Sequence, residues 1–488
     1  MMLRSILTEL AGVDQDIAIN GLCLDSRAVV KGNAFIALAG SKQHGLSHAE
    51  QAIQHGASVI IYEVSTTALS LAKQITGIPV IAVDNLAGKL GEIAARFYGR
   101  PSEQISVIGI TGTNGKTSCS QFLSQVLEHC GVIGTLGWGE WGDLHKTLNT
   151  TPDALAVQHM LAELKSKGNT AVAMEVSSHG LDQGRVNSVR FTGAVFTNIS
   201  RDHLDYHQTM AAYLQAKLSL LTKPGLAFAV VNLDDPYSAK ILAAVPENIV
   251  KWAVSVKGLA VGADEYISAA NINHQHDGMA FDVRWQNQIQ HIKVPLYGDF
   301  NIENVLLVLA VLLAMGMSLS TAAAKLALIK PVVGRMQRFG GEHKPLVFVD
   351  YAHTPDALDK VLSSLRKHCT QALWLVFGCG GNRDSGKRPQ MGASAEQWAD
   401  HVLVTDDNPR FEDAQAIVKD ILAGCRSNKI EVVQDRAQAI KQTIARAAPG
   451  DYVVIAGKGH EQYQEINGVQ LPFSDSACVL SALAERAE

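Results

Sequence analysis

The stretch Thr111-Gly112-Thr113-Asn114-Gly115-Lys116-Thr117 constrains this chain more than any other. It follows an apolar run at residues 105–110 that reads as a buried strand. A helical pattern comes next, Ser118 to Cys130, with Phe122, Leu123, Val126 and Leu127 at spacings of three and four. Strand, glycine loop ending in Gly-Lys-Thr, and helix form the context that separates a phosphate loop from a chance match. Gly112 and Gly115 let the backbone turn tightly, so that its N–H groups point inward at phosphate oxygens. Lys116 reaches the β- and γ-phosphates in such a loop, and the Thr117 hydroxyl ligates Mg²⁺. Ser118 opens the helix whose N-terminus adds partial positive charge at the same spot. The expectation is a nucleoside-triphosphate site.

The chain's 488 residues leave room for two to four domains, at roughly 100–200 residues each. A formal net charge of -5 gives no reason to expect a nucleic-acid partner. Seven scattered cysteines without a Cys-x-x-Cys fit a reducing compartment and argue against a zinc ribbon or a disulfide frame. The start of the chain carries Glu9 and lacks a signal-peptide core. The longest apolar run, residues 305–317, is shorter than the ~18 residues of a membrane span and reads as a buried helix. The expected protein is cytoplasmic, not inserted in a membrane, and monomeric.

The pattern predicts an α/β fold of three domains. Residues 1–99 carry strand-like runs at 34–38, 58–62 and 79–83 with a helical pattern at 47–55, which makes a small α/β domain. Its loops hold Asp25-Ser26-Arg27 and Gly40-Ser41-Lys42-Gln43-His44-Gly45; alone, each is ordinary turn chemistry. A turn-rich joint at Tyr98-Gly99-Arg100-Pro101-Ser102 sets the first boundary. Residues 100–332 alternate strands at 105–110, 170–176, 193–199 and 227–232 with helices, a central ATPase-like domain with a mainly parallel sheet. Residues 333–488 restart the alternation with strands at 346–350, 373–378, 402–405 and 452–456, a Rossmann-like domain without a phosphate loop.

Polar clusters stand where these strands end. Glu175 is followed by Ser177 to Arg185, Asn198 by Arg201 to His207, and Asn149-Thr150-Thr151-Pro152 opens a helix. In the third unit the clusters are Asp350 to Pro355, Gly380 to Asp384, Asp406 to Arg410 and Gly457 to Glu461. A lone Glu or His at a strand end is more often structural, since structural ion pairs use the same residues. Several converging on the rim that carries the phosphate loop favour a site instead. A basic rim facing an ATP domain suits an anionic second substrate. Lys217 lies in a short helix among apolar residues, where a lysine ordinarily snorkels to the surface.

Taken together these motifs closely resemble the Mur ligases, the ATP-dependent amino-acid ligases of peptidoglycan synthesis, over essentially the whole chain. The phosphate loop, Tyr297-Gly298-Asp299-Phe300-Asn301-Ile302-Glu303-Asn304, Gly334-Arg335-Met336, Asp350-Tyr351-Ala352-His353 and the Lys217 helix all carry the resemblance. Asp407-Asn408-Pro409-Arg410 with Gly381-Asn382-Arg383-Asp384 is similar to the members that add meso-diaminopimelate, and lysine-adding relatives lack that last arginine. Gln337 stands where the family often has Glu, and Asn382 where Asp is common.

The resemblance implies that ATP is held by Gly112, Thr113, Asn114, Gly115, Lys116, Thr117, Ser118, Asn301, Arg335, Asp350 and His353. It implies a carbamylated Lys217, which with Thr117, Glu175 and His203 surrounds Mg²⁺; Lys116, Lys217, Glu175 and His203 are then the catalytic set. It places a UDP-muramoyl dipeptide against Leu24, Ser26, Ser41, Lys42, Gln43, Asn149, Thr150, Thr151, Ser177, Gln183 and Arg185. Diaminopimelate falls to Arg383, Asp407, Asn408, Pro409, Arg410, Gly457 and Glu461. The implied reaction activates the D-glutamyl γ-carboxylate of UDP-N-acetylmuramoyl-L-alanyl-D-glutamate as an acyl phosphate and joins the amine to it. A folylpolyglutamate synthase shares the loop and the lysine but not the Asn-Pro-Arg cluster or a UDP domain. A phosphate-loop kinase or motor ATPase needs only the middle domain, and a non-catalytic nucleotide-binding protein has no use for Glu175, His203 and Lys217 together.

Overall fold

The computed structural model describes residues 1–7, 17–40, 42–259, 262–275, 277–426 and 430–486. Among these the strands form sheets of four, eleven, six and two strands. The first sheet is wholly parallel and follows chain order: Gly21–Cys23, Asn33–Ala37, Val59–Glu63 and Val80–Val83. Its last helix, Leu86–Phe97, turns Leu86, Leu90, Ile93 and Ala94 inward and packs on the helix Ala154–Ser166 of the next unit. The first unit is thereby seated on the second through these helices.

In the eleven-stranded sheet the strand Ser106–Thr111 lies between Ala171–Glu175 and Gly193–Phe196, parallel to both. Phe228–Asn232, Val250–Ser255 and Glu265–Gln275 extend the parallel run on one side. Both ends then turn antiparallel, through Gly278–Trp285 and Gln288–Val294 at one edge and Gly137–Glu140 and Asp143–His145 at the other. The sheet is therefore mainly parallel at its centre, where continuous apolar strands are covered on both faces.

From Val305 onward the helix Asp299–Ala314 is apolar all round, and the core is where such a helix is stable. It packs against the phosphate-loop helix Lys116–Val126. That second helix is shorter than the sequence pattern suggests. Leu127 turns extended, and Cys130–Gly134 is a buried strand beside Ala171–Glu175.

The six-stranded sheet places Tyr452–Ala456 between Leu346–Asp350 and Leu373–Phe377, all parallel, with His401–Val404 and Glu431–Val432 beyond. One antiparallel strand, Gln337–Gly340, closes the near edge. Helices cover both faces, as in a doubly wound fold. Among the described residues no helix is long and apolar enough to cross a membrane.

Candidate active site

The phosphate loop leaves its strand at Thr111 and enters its helix at Lys116. Gly112 has φ +143, and a Cβ there would stand 1.9 Å from Thr197 Oγ1. Only glycine fits that turn, because the neighbouring strand end approaches the bare backbone. The far side of the loop is tied down by Asn198, whose side-chain oxygen accepts from Asn114 N at 3.0 Å and whose Nδ2 donates to Asn114 O at 3.1 Å.

Lys116 Nζ donates to the carbonyls of Gly112 and Thr113, each at 2.9 Å. Burial holds its ammonium below the usual lysine range, and nearby Arg335 adds to that, while Glu175 and Asp202 pull it back up. Thr117 Oγ1 donates to Glu175 Oε2 at 2.9 Å, and Arg335 Nη2 reaches Thr117 Oγ1 at 3.3 Å. Glu175 is fully buried at the end of its strand. Its carboxylate also accepts from Thr135 N at 2.8 Å and Thr135 Oγ1 at 3.0 Å.

Lys217 is 1% exposed, not at the surface as a lone lysine between apolar neighbours suggests. Thr209 caps its helix, Met210–Leu218, by accepting from Ala212 N, and so fixes the phase that turns Lys217 inward. Its Nζ donates to Gly112 O at 2.7 Å and lies 4.5 Å from the Tyr213 ring centre. Burial, followed by repulsion from Lys116, depresses its basicity well below that of an ordinary lysine. His203 stands in the left-handed region at φ 54, with Nε2 3.4 Å from Asp202 and its ring 4.7 Å from that of His179. Crowding by protein pushes its imidazole down to about 4 despite the pull of Asp202.

The loop, Glu175 and His203 face the third unit across one cavity of about 220 Å³, which Lys217 does not line. Thr113 to Ser118, Thr135, Thr150, Glu175, Asn198, Asp202 and His203 line one wall; Arg335, Asp350 to His353 and Lys360 line the other. Asp350 accepts from Met336 N at 2.7 Å and Ala352 N at 2.8 Å, which holds the turn that carries His353. Asn301 is set back. Its Nδ2 donates to Tyr297 O and its oxygen accepts from Asn304 Nδ2, so Asn304, Glu303 and Phe300 line the cavity instead.

A second group adjoins Glu175. Thr151 Oγ1 donates to Glu175 O and accepts from Ser177 N, Arg185 Nη1 donates to Thr151 O at 2.8 Å, and Arg185 also grips Gln183 Oε1. Thr150 Oγ1 meets Thr135 Oγ1 at 3.0 Å, and Asn149 is exposed beside them. The remaining candidates belong to the first unit, and Leu24 packs against the cluster that includes Ala154 and Leu155. Ser26 is buried and donates to Gln51, Gln43 bonds His48, Leu24 is half-buried and Lys42 is exposed. Ser41 lies outside the described residues.

The rim of the third unit forms its own cluster. Asn408 Nδ2 donates to Glu461 Oε2 at 2.9 Å, and Arg410 Nη1 donates to Gly381 O at 2.8 Å with its Nε 3.3 Å from Glu465. Asp407 and Pro409 are buried, Gly457 packs against Asp407 Oδ2, and Arg383 is exposed beside them. Gln337 Oε1 accepts from Gly334 N, a bond that a glutamate makes equally well. Asn382 sits at φ 52, a conformation asparagine tolerates, with its side chain accepting from Phe411 N. Thr135, Lys360 and Lys387, whose Nζ donates to His353 O at 2.8 Å, were not found from sequence. A single threonine or lysine carries no motif; the glycines around Thr135 were the one available signal.

Among the described residues no three His, Cys, Asp or Glu side chains gather as a ready metal cage. The donor set at Thr117 and Glu175 is nonetheless all oxygen, and a buried carboxylate held by hydroxyl and amide donors suits a hard cation such as Mg²⁺.

Comparison with known proteins agrees along the whole chain. Residues 18–98 match the Mur ligase family catalytic domain, 110–312 the Mur ligase middle domain, and 334–459 the Mur ligase glutamate ligase domain. A UDP-N-acetylmuramoyl-L-alanyl-D-glutamate–2,6-diaminopimelate ligase of Xanthomonas oryzae pv. oryzae is 47% identical over 496 residues, covering 100% of this chain and 98% of that one. The protein of that name from Pseudomonas aeruginosa is 46% identical and covers 96% of each. A solved structure of a ligase of the same name superposes with a TM-score of 0.70 at 35% identity, covering 100% of this chain and 99% of the other. A folylpolyglutamate synthase of Mycobacterium tuberculosis superposes with a TM-score of 0.61 over 75% of this chain and 91% of its own, at 18% identity, which is a likeness of fold alone.

Proposed function

The chain belongs to the Mur ligase family, and from that premise we infer that it joins meso-diaminopimelate to UDP-N-acetylmuramoyl-L-alanyl-D-glutamate at the expense of ATP, in peptidoglycan synthesis. The observation that carries this reading is the whole-length match to ligases of that name. We assign the enzyme to the cytoplasm as a monomer, with residues 1–99 holding UDP, 100–332 holding ATP and 333–488 holding the incoming amino acid.

The γ-carboxylate of the D-glutamyl residue attacks the γ-phosphorus of ATP. The bond from that phosphorus to the bridging oxygen breaks, ADP leaves, and an acyl phosphate remains. The neutral amine of diaminopimelate then attacks the acyl carbon, the carbon–oxygen bond to phosphate breaks, and phosphate and a proton depart. Little covalent work falls to the protein, so positioning and electrostatics dominate.

Lys116, now resting on two carbonyls of its own loop, would exchange them for phosphate oxygens when ATP binds. The inward N–H groups of the loop take the remaining phosphate charge. Thr117, Glu175, His203 and a carbamylated Lys217 would hold Mg²⁺, which when bound neutralises phosphate charge. The depressed basicity of Lys217 supports its modification, because only a neutral amine adds to CO₂. Arg335, Asp350 and His353 close the ATP cavity from the opposite wall. Thr151, Ser177 and Arg185 lie next to Glu175, where the dipeptide carboxylate has to arrive. Asn408, Arg410 and Glu461 supply both signs of charge for a zwitterionic end group. A closed cavity keeps water from hydrolysing the acyl phosphate.

The test is phosphate release from ATP with each candidate amino acid, with and without the UDP-muramoyl dipeptide. Release that needs both the dipeptide and diaminopimelate is expected. Equal release with glutamate and a folate acceptor would overturn the reading.

A further inference from the structure

Lysine is among the residues least often fully buried, yet Lys458 is 0% exposed. It lies in the turn after the strand Tyr452–Ala456. Gly457 there has φ +119, and a Cβ on it would stand 2.5 Å from Asp407 Oδ2, so the turn must be glycine to press against the Asp407–Arg410 loop. That packing drives the Lys458 side chain beneath the rim instead of out to water. Its charge is not stranded. Nζ donates to Asn408 Oδ1 and to Glu461 Oε2, each at 2.9 Å, and lies 5.6 Å from the Tyr463 ring centre.

The bonds settle a choice that an asparagine amide otherwise leaves open. Asn408 Oδ1 accepts from Lys458 Nζ and also from Glu465 N at 2.9 Å. A flipped amide would set its NH₂ against an ammonium and a backbone N–H, two donors facing a donor. Asn408 Nδ2 is thereby turned the other way, where it donates to Glu461 Oε2 at 2.9 Å and keeps its second N–H for a ligand. Glu461 is fixed by the same cation through Oε2, and its Oε1 meets the Tyr351 hydroxyl at a longer 3.4 Å. Oε1 is the oxygen left for a substrate ammonium.

We propose that Lys458 is a positioning residue for the second substrate: it presents Asn408 as a donor to a substrate carboxylate and Glu461 as an acceptor for a substrate ammonium. This rests on the reading of Asn408 and Glu461 as diaminopimelate ligands. Lys458, with no exposed surface, acts through Asn408 and Glu461.

The experiment measures steady-state constants for all three substrates in Lys458→Met, Lys458→Gln, Asn408→Ala and the double variant Lys458→Met/Asn408→Ala. Met keeps the length and loses the bonds, whereas Gln keeps one N–H for Asn408 Oδ1. Losing a buried, charge-assisted bond should raise the diaminopimelate KM about tenfold or more in Lys458→Met, and about threefold or more in Lys458→Gln. The KM values for ATP and the UDP-dipeptide, and kcat, should stay within about threefold, and the double variant should be no worse than the poorer single one. Should Lys458→Met not fold, Lys458→Gln decides alone, and an unchanged diaminopimelate KM in it overturns the proposal. A parallel rise in all three KM values with additive losses in the double variant overturns it too, by showing a purely structural role. If Asn408→Ala leaves the diaminopimelate KM unchanged, the site reading fails and this inference falls with it. If Asn408→Ala is impaired and Lys458→Met is not, the inference alone fails.

Discussion

Lys217 Nζ donates to the carbonyl of Gly112 at 2.7 Å, so the buried lysine is bound to the first glycine of the phosphate loop. A carbamate on that nitrogen would keep one N–H, enough to hold the same bond to Gly112 O. Its depressed basicity favours the neutral amine that the proposed carbamylation requires.

Lys217→Ala should accordingly lose ligation by at least about a hundredfold, the scale of removing one fixed electrostatic group from an active site. Bicarbonate should not restore it, because no amine remains to be carbamylated. A short carboxylic acid filling the hole should restore part of the rate. Near-normal turnover in the alanine variant would show that Lys217 only fills space.

The pH dependence of stability should carry the mark of Asp406. Burial pushes its carboxyl up to about 6; Arg436 works against that, and Asp407 and Asp435 add to it. The unfolded carboxyl ionises near 3.8, so between roughly 4 and 6 the folded chain binds the extra proton and loses stability as pH rises. Asp406→Asn removes that loss. The variant should unfold later than wild type at pH 8, by at most about 3 kcal/mol, since each pH unit between the folded and unfolded ionisations is worth ~1.36 kcal/mol. Solvent screening around a half-buried carboxyl lowers the gain below that ceiling. At pH 4 the variant should have no advantage, and an equal difference at both values rules the account out.

Much of this was legible in the sequence because the informative signals are local. The phosphate loop announces itself through adjacent residues, and the strand ends at Glu175, Asp350 and Ala456 follow from continuous apolar runs that stop in polar clusters. The resemblance supplied the family, which the whole-length matches bear out. What escaped depends on distant parts of the chain. Burial of Lys217 is set by a carbonyl 105 residues away, and Thr135 matters through Glu175, 40 residues on. The antiparallel extension over Glu265–Gln275, Gly278–Trp285 and Gln288–Val294 has mixed polarity and no strong motif. The boundary at Leu127 was missed because helix and short apolar strand look alike over a few residues.

The rim of the third unit is also held from below. Arg436 and Asp475 are both 0% exposed and share a bidentate pair at 2.7 and 2.9 Å, and Arg436 Nη2 donates to Ala456 O. Breaking one half leaves a buried charge without its partner, which costs ~3–5 kcal/mol. Asp475→Ala should therefore destabilise the third unit by about that much in denaturant unfolding, while the pair replaced on both sides by apolar residues should cost far less. A loss below about 1 kcal/mol in the single variant would mean that water reaches Arg436.

The last prediction names the substrate. Diaminopimelate and lysine share a chain and a reacting amine, and they differ by one distal carboxylate. Arg410 is held at φ 54, with Nη1 on Gly381 O and Nε near Glu465, so its guanidinium is fixed in direction before any ligand arrives. That leaves Nη2 and the outer edge of the fork to meet a carboxylate, with the exposed Arg383 beside it. Charge-assisted bonds of this kind are worth roughly 1.5–3 kcal/mol each, and a site with an unpaired arginine rejects the analogue further. Discrimination against lysine should be on the order of a hundredfold or more in kcat/KM, at ~1.4 kcal/mol per factor of ten. Arg410→Lys keeps the charge but loses the planar fork, so it should lose much of its activity with diaminopimelate while the KM values for ATP and the UDP-dipeptide stay near wild type. It need not gain activity with lysine, because the substitution leaves the Asn408–Glu461 bond in place. Equal use of the two amino acids by the unaltered enzyme would reduce Arg410 to a turn residue bonded to Gly381 and Glu465, and the substrate would have to be read by other groups.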